Sequence, residues 1–195
     1  MSSKFPEELL GDWQDLDRSK LYFPDFKYVD RDASLRRTWA YMQGVRNCLA
    51  SPGSVIDIGA GNGAAVEIFR HFGYKVLAVD RCDREINSDF EMMLASQDVP
   101  HLRHDCSIMP YPVGDKSYDV LLAMGSLINI LSKDMQRVPE ALDEFSRIAT
   151  KTIYLVVNNG VYLEEARPLL NSWRGDSFKL TKQPKPFIFR YDKER

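Results

Sequence analysis

Apolar positions along the chain change their period near residue 54. Before it, Leu35, Trp39, Met42, Val45 and Leu49 recur in steps of 4, 3, 3 and 4. That spacing puts them on one helical face and predicts a helix over 31–50. Asp32 or Ser34 can cap its start, and Ser51, Pro52 and Gly53 stop it. From Val55 onward, short β-branched or aliphatic runs alternate with helical stretches. Strands are predicted over 55–58, 75–80, 101–106, 117–124 and 152–157, and helices over 64–72, 83–97, 139–149 and 161–173. Gly73 ends the first of these helices, Pro139 sits at a tolerated first-turn position, and Pro168 bends or ends the last. Strands at 177–182 and 187–191 close the chain. The repeated alternation of strand and helix implies a parallel sheet with helices on both faces. The final connection is too short for a parallel crossover, so the last pair is an antiparallel hairpin. The expected fold is α/β, a doubly wound, mostly parallel seven-stranded sheet with a C-terminal antiparallel hairpin. Residues 1–50 form an N-terminal helical extension and residues 51–195 the main domain.

Composition narrows the function more than the fold. The 195 residues include 26 basic and 28 acidic side chains, a net charge of −2. No long-range basic field attracts nucleic acid, which disfavours it as a partner. The longest apolar runs, at 120–124 and 153–157, have five residues, whereas a membrane helix needs about 20. The opening MSSKFPEELLGDW lacks the apolar segment of a secretory signal. Cys48, Cys82 and Cys106 are an odd count without paired spacing, which argues against a disulfide scaffold or a zinc site. A reducing cytoplasm is the expected setting.

The strongest chemical signal is Asp57-Ile58-Gly59-Ala60-Gly61-Asn62-Gly63, which leaves a strand and opens a helix. Gly59 and Gly61 allow a tight turn and close backbone approach to a ligand. Asp80 ends the next strand, 21 residues after Gly59, where a carboxylate can accept from ribose hydroxyls. Together they predict an adenosine-containing ligand at the carboxyl edge of the sheet. A nicotinamide dinucleotide and S-adenosyl-L-methionine both fit the loop. Asp57 separates them: its carboxylate would repel a diphosphate but suits the ammonium and sulfonium of S-adenosylmethionine.

The string DIGAGNG followed by VLAVD resembles motif I and the next acidic motif of class I S-adenosylmethionine-dependent methyltransferases, of the methyltransferase-11/25-like kind. Residues 103–122, RHDCSIMPYPVGDKSYDVLL, are similar to the family segment with an acidic residue, a proline–aromatic pair and a strand opening on aromatic-Asp. The resemblance covers about residues 50–195 and implies a Rossmann-like methyltransferase fold. It also implies a cytoplasmic transferase that moves a methyl group from S-adenosyl-L-methionine to oxygen or nitrogen of a small-molecule acceptor. The alternatives are a non-catalytic S-adenosylmethionine-binding module and a protein or RNA methyltransferase. By position, Asp57 with the backbone of Gly59, Ala60 and Gly61 would hold the methionine end. Asp80 would hold the ribose and Arg81 would lie against the adenine. Asp105 and the Cys106 backbone N–H would meet the adenine edge, and Met124 and Gly125 would line the methyl-bearing sulfur. Arg36 or Arg37 is a candidate for the cofactor carboxylate.

No residue declares itself as a general base, and no catalytic residue is assigned. Tyr22, Tyr28, His104, Asn129 and Tyr162 lie on segments that can reach the sheet edge. His101 and His104 are three apart, a spacing that puts them on opposite faces of a strand and disfavours a shared metal. His71 reads as a favourable charge at a helix end. Cys106 reads as a small packing residue. The aromatics of 1–50 either pack the first helix or form a lid. After the fourth strand the chain runs Ala123-Met124-Gly125-Ser126. It lacks the Pro-Pro-aromatic signature of amino-directed nucleic-acid enzymes and the carboxylate of metal-assisted ones. Oligomeric state, pathway and acceptor are not encoded in any motif.

Overall fold

A computed structural model describes residues 4–42, 53–157, 160–173, 178–182 and 187–193. Helix α1 spans Arg31–Tyr41, strand β1 Ser54–Ile58, α2 Ala64–His71, β2 Lys75–Asp80, α3 Glu85–Ser96 and β3 His101–Arg103. Then come β4 Tyr118–Met124, α4 Leu127–Ile130, α5 Val138–Ile148, β5 Ala149–Val157, α6 Gly160–Ser172, β6 Lys179–Lys182 and β7 Phe187–Asp192. The strands form one seven-stranded sheet in the order β3-β2-β1-β4-β5-β7-β6. The first five strands are parallel, while β7 runs antiparallel to both β5 and β6. The chain is thus an α/β doubly wound protein with the expected C-terminal hairpin, whose second strand inserts next to β5.

Both faces of the sheet are covered, so its strands read as nearly continuous apolar runs. Val55, Val120, Leu122, Tyr154 and Val156 point to one face, where Leu35 and Trp39 of α1 and Ile68 and Phe69 of α2 pack. Ile56, Ile58, Leu121, Ala123 and Leu155 point to the other, against Leu142 and Phe145 of α5 and Leu170 of α6. The period-2 alternation along each strand sorts neighbours to opposite faces. β1 pairs with β2 on one side and β4 on the other. Chain order reverses there, which opens a crevice at the carboxyl ends of these strands.

Several expectations need correction. Helix α1 is capped by Asp30, whose Oδ1 accepts from Ala33 N at 2.9 Å. Asp32 instead accepts from Gly11 N, 2.9 Å away. The predicted continuation of this helix over 43–50 lies outside the described residues. Strand β3 stops at Arg103 because Asp105 turns the chain, its Oδ1 accepting from Ser107 N (3.0 Å) and Ser107 Oγ (2.7 Å). Helix α6 runs through Pro168. Buried Ala166 and Leu170 anchor it on both sides of the ring, and tertiary packing outweighs the lost hydrogen bond. Strand β5 begins at Ala149, earlier than its apolar run suggests. Helix α4 was not visible in the pattern because four residues hold barely one turn.

Residues 4–30 cross the α2–α3 side of the sheet with two short 3-10 turns. Three polar anchors hold them. Trp13 Nε1 donates to Val29 O at 2.7 Å. Asp89 of α3 takes Tyr22 N (2.8 Å) and Phe23 N (2.9 Å) on its two oxygens. Arg31 donates to Leu9 O (2.7 Å), to Gly11 O (3.1 Å) and to Glu67 Oε1 of α2 (3.0 Å). No helix among the described residues is long and apolar enough to cross a membrane.

Candidate active site

The loop after β1 is built on glycines because its backbone goes where side chains do not fit. Gly59, Gly61 and Gly63 have φ of +74°, +57° and +79°, in the left-handed region. A Cβ on Gly59 would also lie 2.4 Å from Ser126 Cβ. Ser126 fastens this contact, its Oγ donating to Ile58 O at 2.6 Å. The loop N–H groups are engaged within the protein: Gly59 N and Ala60 N donate to Val79 O (2.8 and 3.1 Å), and Gly61 N donates to Asp80 Oδ2 (2.7 Å). The loop is therefore preorganised by β2.

This loop floors a cavity of about 810 Å³ at the carboxyl edge of the sheet, within the ~300–1,000 Å³ typical of small-molecule sites. Asp57, Gly59, Ala60, Gly61, Asp80, Arg81, Asp105, Cys106, Met124 and Gly125, the ten residues singled out from sequence, all line it. So do residues that sequence reasoning missed, notably Thr38, Tyr41, Phe90, Ser126, Ser132 and Lys133. Their only signal was position, on α1, on α3 or beyond the tip of β4, and no motif marks them. Phe26 and Tyr28 reach the wall from the N-terminal segment, which Asn62 ties down by donating its Nδ2 to Tyr28 O at 2.9 Å. Phe26 and Tyr28 thus pack and line the cavity at once. Tyr28 stands edge-on to Phe90, with ring centroids 5.7 Å apart.

The acidic groups differ in state. Asp57 is 2% exposed, and its Oδ1 has no hydrogen-bond partner. Burial pushes its carboxyl well above the usual range, and the neighbouring Asp80 adds to the shift. Burial also raises Asp80, although its Oδ1 accepts from Arg81 N (2.7 Å) and its Oδ2 from Gly61 N. Asp105 is held below the usual range. Its desolvation is outweighed by hydrogen bonds from Ser107 and by the charge of Arg81, whose Nη1 lies 3.0 Å from its Oδ2. Cys106 is buried, which raises its thiol and leaves it a packing residue.

The proposed bases separate. Tyr28 and Asn129 line the cavity. Tyr22 is 63% exposed, away from the cavity lining. His104 Nε2 is engaged with Ile108 O at 2.8 Å. The Tyr162 side chain lies outside the described set. Arg36 pairs with Glu7 at 2.7 Å, whereas Arg37 lines the cavity with its guanidinium over the Tyr28 ring, 4.7 Å from the centroid. His71 meets Glu8 (3.1 Å) rather than only a helix terminus. Among the described residues, no group of three or more His, Cys, Asp or Glu is arranged to hold a metal.

Sheet order, glycine turn and acidic strand ends define a class I nucleoside-binding α/β enzyme. Residues 56–157 match the family model described as the methyltransferase domain. The chain belongs to that family: it is an S-adenosylmethionine-dependent methyltransferase, with S-adenosyl-L-methionine as its cofactor. Solved structures share the fold. A Methanococcus maripaludis protein described as a candidate S-adenosylmethionine-dependent methyltransferase is 15% identical, covers 84% of this chain and 89% of its own, and superposes with a TM-score of 0.65. Magnesium protoporphyrin IX methyltransferase of Synechocystis, solved with bound cofactor, is 14% identical over 91% and 90% of the two chains, with a TM-score of 0.58. A ribosomal protein L11 methylase of Lactobacillus delbrueckii is 19% identical over 82% and 79%, with a TM-score of 0.55. No curated protein sequence matches the chain. The site's chemistry fits this cofactor. Asp57, buried with an unpartnered oxygen, suits a ligand ammonium and opposes a diphosphate.

Proposed function

We propose that this methyltransferase acts on oxygen or nitrogen of a small-molecule acceptor, in the cytoplasm, with the N-terminal segment as part of the site. The observation that carries this reading is the cavity at the carboxyl edge of the sheet, lined from the N-terminal segment by Phe26, Tyr28, Arg37, Thr38 and Tyr41. It leaves room for a compact acceptor beside a cofactor rather than a groove for a polymer.

The bound cofactor supplies an electrophilic methyl group on sulfonium. The chain's residues then bind, orient and exclude water. Asp57 receives the ammonium. Because the loop N–H groups are already engaged, Gly59 and Gly61 contribute carbonyl oxygens and close approach, while Ala60, whose carbonyl accepts from Gly63 N at 3.1 Å, contributes close approach. Asp80 accepts from the ribose hydroxyls, Arg81 and Phe90 flank the base, and Asp105 with Cys106 N meets its edge. Met124 and Gly125 line the sulfur. At the tip of β4, Asn129 orients the acceptor. Among the described residues no carboxylate or imidazole stands there to take a proton, so an acceptor that ionises readily suits this site best.

Calorimetric titration with S-adenosylhomocysteine, NAD and NADP in parallel tests the cofactor assignment. Micromolar binding of S-adenosylhomocysteine alone is expected. Transfer of labelled methyl to small acceptors, and not to RNA or protein, is the expected second result; label found only in a polymer overturns the small-molecule reading. Asp80→Ala should weaken S-adenosylhomocysteine binding by about 1–2 kcal/mol, roughly tenfold, as a charge-assisted hydrogen bond is lost. Unchanged affinity would remove Asp80 from the ribose.

A further inference from the structure

We propose that the acceptor is an anion, and that Lys133 receives its acid group. The inference rests on the methyltransferase reading above and adds the acceptor's chemical class. The cavity divides by charge. Its three carboxylates, Asp57, Asp80 and Asp105, come from the β1, β2 and β3 edges. The lining from α1 and from the chain around α4 contributes Arg37, Thr38, Tyr41, Asn129, Ser132 and Lys133. Its charged groups are both positive. Among the described residues, neither Arg37 nor Lys133 has a carboxylate partner: Arg37 donates to Ser34 Oγ at 3.2 Å and covers the Tyr28 ring. The other two cavity cations lie at the acidic end, where Arg81 contacts Asp83 and Asp105 and Arg84 acts on Asp105.

Arg37, half-buried, and Lys133, exposed at the cavity rim, are thus the two lining cations free of a protein carboxylate and open to negative groups of ligands. The cofactor's methionine end carries one carboxylate, and Arg37, which lines the cavity together with the glycine loop, suffices for it. Lys133 is left for a second anion, which the acceptor must bring. The backbone supports the assignment. Ser132 and Lys133 have φ of +52° and +66°, adjacent left-handed residues that non-glycine side chains avoid. Ser132 N donates to Asn129 O (3.0 Å) and Asp134 N to Leu131 O (2.9 Å), and Leu131 is fully buried. The turn is thereby fixed so that Lys133 stands at the cavity wall beside Asn129. Lysine acts as a point charge and accepts a carboxylate or a phosphate alike, so both are to be tried.

Protein saturated with S-adenosylhomocysteine is titrated with benzoate, phenyl phosphate and the neutral benzamide, aryl probes suited to a cavity walled by Tyr28 and Tyr41. At least one acid should bind tenfold or more tighter than benzamide, and the margin should shrink as salt rises from 50 to 300 mM. The tighter of the two acids identifies the group. Lys133→Met should abolish the margin and leave the affinity for S-adenosylhomocysteine within twofold, whereas Lys133→Arg should retain most of it. Thermal melts of both variants check folding. Absence of acid-dependent binding to wild-type protein, or a margin that survives Lys133→Met, overturns the proposal while leaving the cofactor assignment intact. Failure of the wild type to bind S-adenosylhomocysteine overturns both.

Discussion

Asp57→Asn is expected to reduce affinity for S-adenosylhomocysteine about 100-fold and, in the same protein, to stabilise the ligand-free state. The two effects have one cause. Asp57 is buried with an unpartnered oxygen, and its neighbour Asp80 is another acid. Without ligand the charged form of Asp57 has no compensation, so charging it is unfavourable until a ligand cation relieves the cost. The amide keeps the shape and removes the charge. The lost ion pair corresponds to about 2.7 kcal/mol of binding, and ligand-free stability should rise by about 1 kcal/mol. The pH dependence follows from the direction of the shift. The folded-state pKa is raised above the ordinary value of about 3.9, so between the two values the folded protein holds more protons than the unfolded chain. Stability present at low pH is therefore lost as pH rises through the folded-state value. Urea titrations at several pH values should show that decline in the wild type and a shallower one in Asp57→Asn. Equal affinity for S-adenosylhomocysteine in the two proteins would place the ligand ammonium elsewhere.

Arg31→Met should destabilise the protein by about 3–5 kcal/mol, the scale for leaving a buried charge without its partner. Arg31 and Glu67 are 9% and 3% exposed. Burial raises Glu67 despite the hydrogen bond and charge of Arg31, so the pair does not fully offset its own desolvation. Two consequences separate this account from a generic packing loss. The double variant Arg31→Met, Glu67→Met should recover most of the stability, because no unpaired charge remains. The single variant should also suffer less at pH 5 than at pH 7, since Glu67 can take a proton there. Arg31 also grips Leu9 O and Gly11 O. Its loss should therefore loosen the segment that carries Phe26 and Tyr28 and weaken S-adenosylhomocysteine binding. Calorimetry and denaturant titration measure both effects. A double variant as unstable as the single one would exclude the charge explanation.

Much of the site was legible because its signals are local. A strand leading into Gly59-Ala60-Gly61, and an acid closing the next strand, lie within one β-α-β unit, and pairing of Asp57 with Ala78 brings the strand ends together. The resemblance of 103–122 to the family segment located Asp105 and Cys106 in the same way. Less legible were the helix cap at Asp30 rather than Asp32, the end of β3 at Arg103, and the passage of α6 through Pro168. In each case a side chain or core contact overrides a propensity of the neighbouring residues.

Residue order alone determined the alternation of elements, the antiparallel close and the ligand class, since periodicity and motif spacing act over a few residues. Only the tertiary structure decided that Arg31 meets Glu67 across 36 positions, that Asp89 holds Tyr22 and Phe23, and that Ser126 closes on Ile58. It also decided that Asp57 keeps an oxygen without a partner and that Arg37 and Lys133 line the same cavity, neither with a carboxylate partner among the described residues. Such facts depend on which distant groups meet and on how much water remains between them. Local pattern carries no information about either.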